Sequence, residues 1–457
     1  MRRSRYGFYL SLAMSLVCGG TAWGAGAVNS TPFNLSTPGA RSLGMGGAFL
    51  GLADDATAAY SNPAGLTSLT EGGPQIAVEL RNWSYSTPFI SGGRLDGTPQ
   101  GRGLDFFPFL LNDTAQSNVT DLSFASFGYV LPGGITFALY KNQLANYSAA
   151  FQSEGFFYDT SVHAGTGRTL PSGFETNIRV DSIGLSMAYE FRKPFRSNVE
   201  RPLSIGIGVA RYHLNSATFG LAFNIDTSGQ DPTAPDGSLG HSQFLPGNLQ
   251  AGRFETGDDS AVGLISGFLW KLDPKGHWRV GGVYREGPKF RTKVDIFDLE
   301  RGLQAGADNT LKIPDTYGFG VSYSPGRSEG ETKIAFDYVN SRYSQRFGDF
   351  FDGTSKPNAP DFAIPDAQGL HLGLEQVVVK SGEFVGTVRA GAWRESAHEF
   401  QYKGSDPTQR LYYATGGSDT HWTAGLGLVI GEQYQIDAAM DRSDRVKTFS
   451  FSLVRFF

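Results

Sequence analysis

The chain ends in Lys447-Thr-Phe-Ser-Phe-Ser-Leu-Val-Arg-Phe-Phe457, a run that alternates side-chain character with a period of two. Phe449, Phe451, Leu453 and Phe457 fall on one face, and Thr448, Ser450 and Ser452 on the other. Successive side chains point to opposite faces only in a strand, so this is a strand that is apolar on one side. Alternating or aromatic and β-branched runs bounded by turn residues recur at 74–89, 121–131, 134–144, 179–191, 203–214, 260–272, 277–290, 314–324, 332–343, 369–379, 385–395, 420–430, 433–442 and 447–457. That makes about 14 strands, an even number, as a single-chain bacterial membrane barrel requires.

Beyond the first residues no window approaches eighteen consecutive apolar residues, so a transmembrane helix is not expected. A barrel wall has one polar and one apolar face, and its signal is alternation rather than continuous hydrophobicity. The content of 60 Gly and 35 Phe fits that wall, with glycine where strands crowd or turn and aromatics toward lipid. The links at 132–133, 273–276, 325–331, 380–384 and 431–432 are short and 192–202 is moderate, whereas 90–120, 145–178, 215–259, 291–313 and 344–368 are long and polar. Short and long links on opposite ends are what periplasmic turns and outer loops produce.

Arg2, Arg3 and Arg5 precede an apolar run from Tyr6 to Val17 and then small residues at Ala22, Gly24, Ala25 and Ala27, the layout of a cleavable export signal. The expected leader is 1–27, with cleavage before Val28; cleavage after Gly24 is the alternative. Its three arginines take the net charge from −5 to −8, which argues against a nucleic-acid partner. Cys18, the single cysteine, belongs to the leader, so no disulfide or thiolate metal site is expected in the mature chain.

Directly after the leader, Gly39-Ala-Arg-Ser-Leu-Gly-Met-Gly-Gly-Ala-Phe-Leu-Gly-Leu-Ala-Asp-Asp-Ala-Thr-Ala-Ala-Tyr-Ser-Asn-Pro-Ala-Gly-Leu66 is rich in Gly and Ala and ends in Asn62-Pro63-Ala64. Leu43, Met45, Phe49, Leu50, Leu52 and Tyr60 give it more apolar content than a mobile leader carries. This stretch resembles the N-terminus of the FadL-type outer-membrane transporters. Two internal runs are similar as well. Trp278-Arg-Val-Gly-Gly-Val-Tyr-Arg-Glu-Gly-Pro-Lys-Phe-Arg-Thr-Lys293 looks like the family's middle strand, and Leu311-Lys-Ile-Pro-Asp-Thr-Tyr-Gly-Phe-Gly-Val321 looks like the entry to the next, with Asp315 where glutamate is usual. The C-terminal Phe457 is similar to the signal by which barrel-assembly machinery recognises outer-membrane strands, although Arg455 stands where an aromatic is commoner.

The resemblance implies an all-β transmembrane antiparallel barrel (74–457) in the bacterial outer membrane, surrounded by its lipids, monomeric, with a hatch (28–73) plugging the lumen. Gly46, Asp54, Asp55, Asn62, Pro63 and Ala64 are its candidate hatch and gating residues. It also implies passive uptake of long-chain fatty acids or other small hydrophobic compounds. The alternative is a structural, assembly or secretion-partner barrel without transport.

Catalytic signatures are lacking: there is no Gly-x-Ser-x-Gly elbow, His-Glu-x-x-His pair, phosphate loop or Cys-x-x-Cys, and no enzyme activity, cofactor or metal is expected. Gly184-Leu-Ser-Met-Ala188 lies in an alternating strand, which places Ser186 toward the lumen. His371 and His398-Glu399 read as wall or loop residues, and Asp54-Asp55 as caps or hatch-to-wall partners rather than an acid/base pair.

Apolar residues within the long links mark candidate ligand contacts: Phe219, Leu221 and Phe223, and Ile296, Phe297 and Leu299 with Leu303. In the resembled family the corresponding third and fourth outer loops form a hydrophobic capture groove; alternatively these residues pack together as a lid. Phe156-Phe157-Tyr158 reads as a weaker, interfacial candidate. The third strand turns polar at Lys141-Asn142-Gln143 before alternation resumes, which is either a bulge that opens the wall or the outer rim. The resemblance implies a sideways exit there.

Overall fold

The computed structural model describes residues 33, 35–71, 74–95, 109–160, 165–192, 201–224, 244, 246–325, 332–350, 361–405, 410 and 417–457. The expected leader lies outside them. Fourteen strands close an antiparallel transmembrane barrel, as the alternation predicts. In chain order they begin with β1 (Gln75–Gly93), β2 (Leu110–Val130) and β3 (Ile135–Ser153). A small hairpin, β4 (Phe157–Thr160) with β5 (Gly165–Arg168), intervenes before β6 (Ser172–Phe191), β7 (Leu203–Phe223), β8 (Leu249–Lys271) and β9 (Trp278–Arg285). The hairpin β10 (Lys289–Asp298) and β11 (Leu303–Lys312) branches from β8, and the wall resumes with β12 (Thr316–Tyr323) and β13 (Thr332–Ser341). The short β14 (Phe362–Ala363) and β17 (Gln401–Tyr402) pair above the rim. The remaining wall strands are β15 (Ala367–Ser381), β16 (Phe384–Glu395), β18 (Asp419–Ile430), β19 (Tyr434–Arg442) and β20 (Val446–Phe456). The ring closes where β1 pairs with β20.

Outward positions carry the exposed hydrophobics, such as Ile183, Leu185 and Met187 on β6, Ile205, Ile207 and Val209 on β7, and Phe449 and Phe451 on β20. Burying that belt in hydrocarbon removes it from water, which is why the polar face turns inward. None of the described helices is long and apolar enough to cross a membrane.

The expected strand ends need correction at the outer side. A tilted strand crosses the hydrocarbon in about 9–11 residues, but β7 has 21 and β8 has 23. Much of 90–120, 145–178, 215–259 and 291–313 is therefore strand rising above the membrane rather than loop. The expected strand 277–290 is also broken: β9 and β10 both pair with β8, at Ile265–Lys271 and Ala251–Thr256, and are separated at Glu286-Gly287-Pro288. Pro288 has no amide hydrogen for the ladder, which suits it to such a break.

Candidate functional site

Inside the barrel, residues 39–71 form a plug of short pieces: helices at Ala40–Gly44 and Ala58–Ser61 and a 3-10 helix at Pro63–Glu71. Elements this short leave most backbone polar groups without internal partners, and buried groups of that kind must be paired elsewhere. Wall side chains pair them. Asp337 Oδ2 accepts from the amides of Phe49 (2.7 Å) and Leu50 (2.8 Å). Ser126 donates to the Ala56 carbonyl (2.9 Å), Ser186 to Ala59 (2.7 Å), Ser322 to Gly51 (2.8 Å) and Thr423 to Gly44 (3.1 Å). Arg285 donates to the carbonyls of Tyr60 (3.1 Å) and Ser61 (2.5 Å). Ser186 therefore faces the lumen, as its strand phase predicts, and its partner is the plug.

Asn62 is fully buried at the centre of this contact. Its amide nitrogen donates to the carbonyls of Leu50 (2.9 Å) and Phe268 (3.0 Å), tying two parts of the plug to the wall, and its Oδ1 accepts from the Ala64 amide (3.3 Å). Pro63 and Ala64 press on Gly206, where an added methyl would overlap both. Gly128, Gly267, Gly281 and Gly373 meet Leu69, Asn62, Leu50 and Met45 in the same way, and Gly425 lies close against Gly44, so inward glycines form a seat around the barrel. Gly46 adopts a φ of 64° against the backbone of Leu372 and Ala392, a conformation and a spacing that suit only glycine. Its carbonyl receives His371 Nδ1 at 2.7 Å, which places His371 in the seat.

Asp54 and Asp55 bind within the plug, to an arginine that in turn reaches the wall. Arg41, on the first plug helix, contacts Asp54 at 2.5 Å, Asp55 at 3.6 Å and Glu375 of β15 at 2.9 Å. Glu375 is shared with Arg389 (2.7 Å) and Lys333 (3.2 Å), and Arg389 reaches Asp437 (2.7 Å). Thr57 caps Asp55 through its amide (2.9 Å) and hydroxyl (2.5 Å). Burial pushes both plug carboxyls upward; Arg41 nevertheless leaves Asp54 below the usual carboxylate range, whereas Asp55, repelled by Asp54, stays above it. Every strong contact of this pair is structural, and among the described residues no group of three or more His, Cys, Asp or Glu could hold a metal ion.

Above the plug the β2–β3 ladder is interrupted. It runs from Val130↔Thr136 to Phe124↔Asn142 and stops. Beyond it, β2 pairs only with β1 and β3 only with β6, and the β3–β6 ladder shifts register between Gln143 and Ala145. The upper part of β3 instead packs on the inner face of β1. Tyr147 meets Thr87 at 2.8 Å, the Tyr85 and Tyr147 rings lie 5.3 Å apart, and Phe89 stacks on Phe151 at 4.6 Å. Only side chains span the gap. Asp121 accepts from Gln143 (2.9 Å) and Asn146 (3.2 Å) and pairs with Arg179 (2.8 Å). Asp181 joins Arg179 (2.6 Å) and Lys141 (3.1 Å), and Lys141 Nζ also donates to the Leu122 carbonyl. Lys141, Asn142 and Gln143 thus stand where backbone pairing gives way to a polar latch.

No family model and no curated protein matches the sequence. Solved structures do. A FadL homologue from Pseudomonas aeruginosa aligns over 95% of this chain and 100% of its own, with a TM-score of 0.59 at 15% identity. The toluene transporter TbuX of Ralstonia pickettii aligns over 93% and 100%, with 0.53 at 16%. The P. putida toluene transporter TodX aligns over 93% and 99%, with 0.53 at 12%. The chain has the FadL-type fold.

The outer side of this FadL-type barrel departs from the sequence reading. Phe219, Leu221 and Phe223 lie on β7 and Ile296 and Phe297 on β10, not in loops; only Leu299 follows its strand's end. They do not share one face either. Phe219 and Leu221 continue the outward phase of Ile205 and Val209, and register places Phe254 and Phe297 beside them; Phe223 follows a register shift after Ala222 and is buried. The Phe219–Phe254 and Phe254–Phe297 ring centroids lie 5.4 and 5.7 Å apart, and Phe223 meets Phe244 at 5.4 Å. Ile296 points the other way, into a small inner core with Ala222, Ala251 and Val294. A one-residue offset reverses facing in a strand, and loop assignment hid that offset.

Phe156 is buried rather than interfacial, and the Tyr158 side chain lies outside the described residues. His398 stacks on Tyr343 at 4.1 Å, while Glu399 pairs with Arg445 at 2.5 Å. Arg41, Glu375, Asp337, Arg285 and the glycine seat escaped the sequence reading. For the wall residues the signal was a charge or a glycine on the inward phase of an otherwise lipid-facing strand; for Arg41 it was a lone cation in the Gly/Ala-rich plug segment.

Proposed function

We propose that the protein is an outer-membrane transporter that admits small hydrophobic molecules passively, collecting them at the outer aromatic patch and releasing them sideways between β2 and β3. The observation that carries this reading is the interrupted β2–β3 ladder above a plug hydrogen-bonded to at least seven wall strands. A seated plug blocks the axial path, and an apolar solute gains nothing from a wet pore; a wall opening lets it pass from protein to lipid without crossing water. Two of the structural relatives reported above carry toluene in their names, which supports a hydrophobic cargo. Long-chain fatty acids remain within the proposed cargo class. Hatch residues Asn62, Pro63, Ala64, Gly46, Asp54 and Asp55 keep the axis shut. Phe219, Leu221 and Phe297 offer the initial contact, with Leu299 exposed at the end of the same strand as Phe297 and Phe223 buried behind them. Purified protein in proteoliposomes should accelerate entry of labelled toluene or a labelled fatty acid over protein-free vesicles. Equal rates for both cargoes with and without protein would leave a structural barrel as the better reading.

A further inference from the structure

Arg442 and Lys447 stand directly opposite each other across the β19–β20 pair. Both are exposed, and both follow the outward phase, immediately beyond the lipid-facing Met440 on β19 and Phe449 on β20. On the neighbouring strand Trp422, 68% exposed, lies opposite Arg442 and marks the outer interface, where an amphipathic indole is favoured. Arg394 of β16 is a third outward cation, on the other side of β18 and two residues beyond the Trp422 position; its guanidinium donates to the Ser418 hydroxyl, at 2.7 Å for the shorter bond. Among the described residues neither Arg442 nor Lys447 has a carboxylate within ion-pair distance. Like charges directly opposed in an antiparallel pair repel, so this position is unfavourable for the protein alone and becomes favourable when an anion sits between them. At this depth the available anions are lipid headgroups, and Arg with Lys is a combination suited to phosphate.

We infer that Arg442, Lys447 and Arg394 form a binding site for the phosphate groups of a phosphorylated lipid in the outer leaflet. The inference rests on the membrane placement proposed above but not on transport. Phosphate oxygens accept hydrogen bonds from Arg442 and Lys447, with Arg394 at the edge of the site, while the acyl chains lie along Met440, Phe449 and Phe451. The cations therefore hold one lipid species against the β19–β20 wall.

Binding of lipid A and of enzymatically dephosphorylated lipid A to the full chain in detergent micelles, measured by native mass spectrometry, tests this. Wild type should retain phosphorylated lipid A at least tenfold more tightly than the dephosphorylated form. An Arg442→Gln/Lys447→Gln variant should lose that preference. Lys447→Glu should lose it too while raising the melting temperature, because a repelling pair becomes an ion pair; a merely structural role for Lys447 would not pair these two effects. Inorganic phosphate at equal concentration should not displace the lipid. Equal binding of the two lipids by wild type, an unchanged preference in the variants, or full displacement by inorganic phosphate would each overturn the inference. None of these readouts involves cargo uptake, so a failure of the transport reading would appear separately.

Discussion

Arg41 on the plug and Glu375 on the barrel wall are joined by two parallel hydrogen bonds, Nε to Oε2 at 2.9 Å and Nη2 to Oε1 at 3.2 Å. This fork fixes both distance and angle between plug and wall. Glu375→Gln would leave Arg41, Arg389 and Lys333 facing one neutral amide. Breaking a buried pair on one side costs about 3–5 kcal/mol. Trypsin should then cut the plug in folded, inserted barrels at a rate at least tenfold above wild type.

Asp54 and Asp55 should respond oppositely to removal of charge. Asp54 has a lowered folded pKa, so its stabilising effect is present above the unfolded value near 3.9 and is lost as pH falls through the folded one. Asp55 has a raised folded pKa, so its contribution is full below the unfolded value and is lost as pH rises through the folded one. At pH 7 Asp54→Asn should weaken plug seating by about 1.5–3 kcal/mol, the range for a hydrogen bond to a charged group. Asp55→Asn keeps an acceptor for Thr57 and should be neutral or stabilising. Plug protection in hydrogen exchange at pH 7 distinguishes the two.

The glycine seat predicts a steric effect confined to the plug. Gly206→Ala would drive a methyl into Pro63 and Ala64, and overpacking of this kind typically costs about 1–3 kcal/mol. Gly386→Ala is the control, since its methyl would meet Val379 Cβ at an ordinary 3.4 Å. Both should insert, and only the first should expose the plug to trypsin.

Residues 296 and 297 separate capture from stability. Phe297→Ser removes one ring of the outer stack and should weaken binding of a fluorescent hydrophobe, by up to the roughly 1.5–3 kcal/mol that a fully buried side chain contributes. Ile296→Ser puts a hydroxyl into the inner core and should lower the melting temperature with little change in binding. The reverse pattern would place capture inside the barrel.

The barrel was legible because lipid imposes alternation on every strand, and Phe449, Phe451 and Leu453 carry it plainly. The plug was legible in Asn62-Pro63-Ala64 because a tight turn against a wall demands particular residues. Strand ends at Phe223 and Leu249 were not, since above the membrane both faces meet water or protein and the apolar–polar contrast fades. The partners of Arg41 and Asn62 were invisible for another reason. They lie 334 and 206 residues away in sequence, on strands whose order around the ring no local pattern encodes. At Lys141-Asn142-Gln143 the local polarity was readable, but its meaning depended on Asp121 across the gap and on Arg179 of the neighbouring β6.

If cargo leaves between β2 and β3, locking that gap should stop its uptake. An Asp121→Cys/Gln143→Cys variant replaces two side chains that meet across it at 2.9 Å, and the only native cysteine, Cys18, lies in the expected leader. Uptake of a labelled hydrophobe into proteoliposomes should fall at least tenfold when the variant is oxidised and recover on reduction. Uptake at the wild-type rate with the cross-link confirmed by mass spectrometry would contradict a lateral exit at this site.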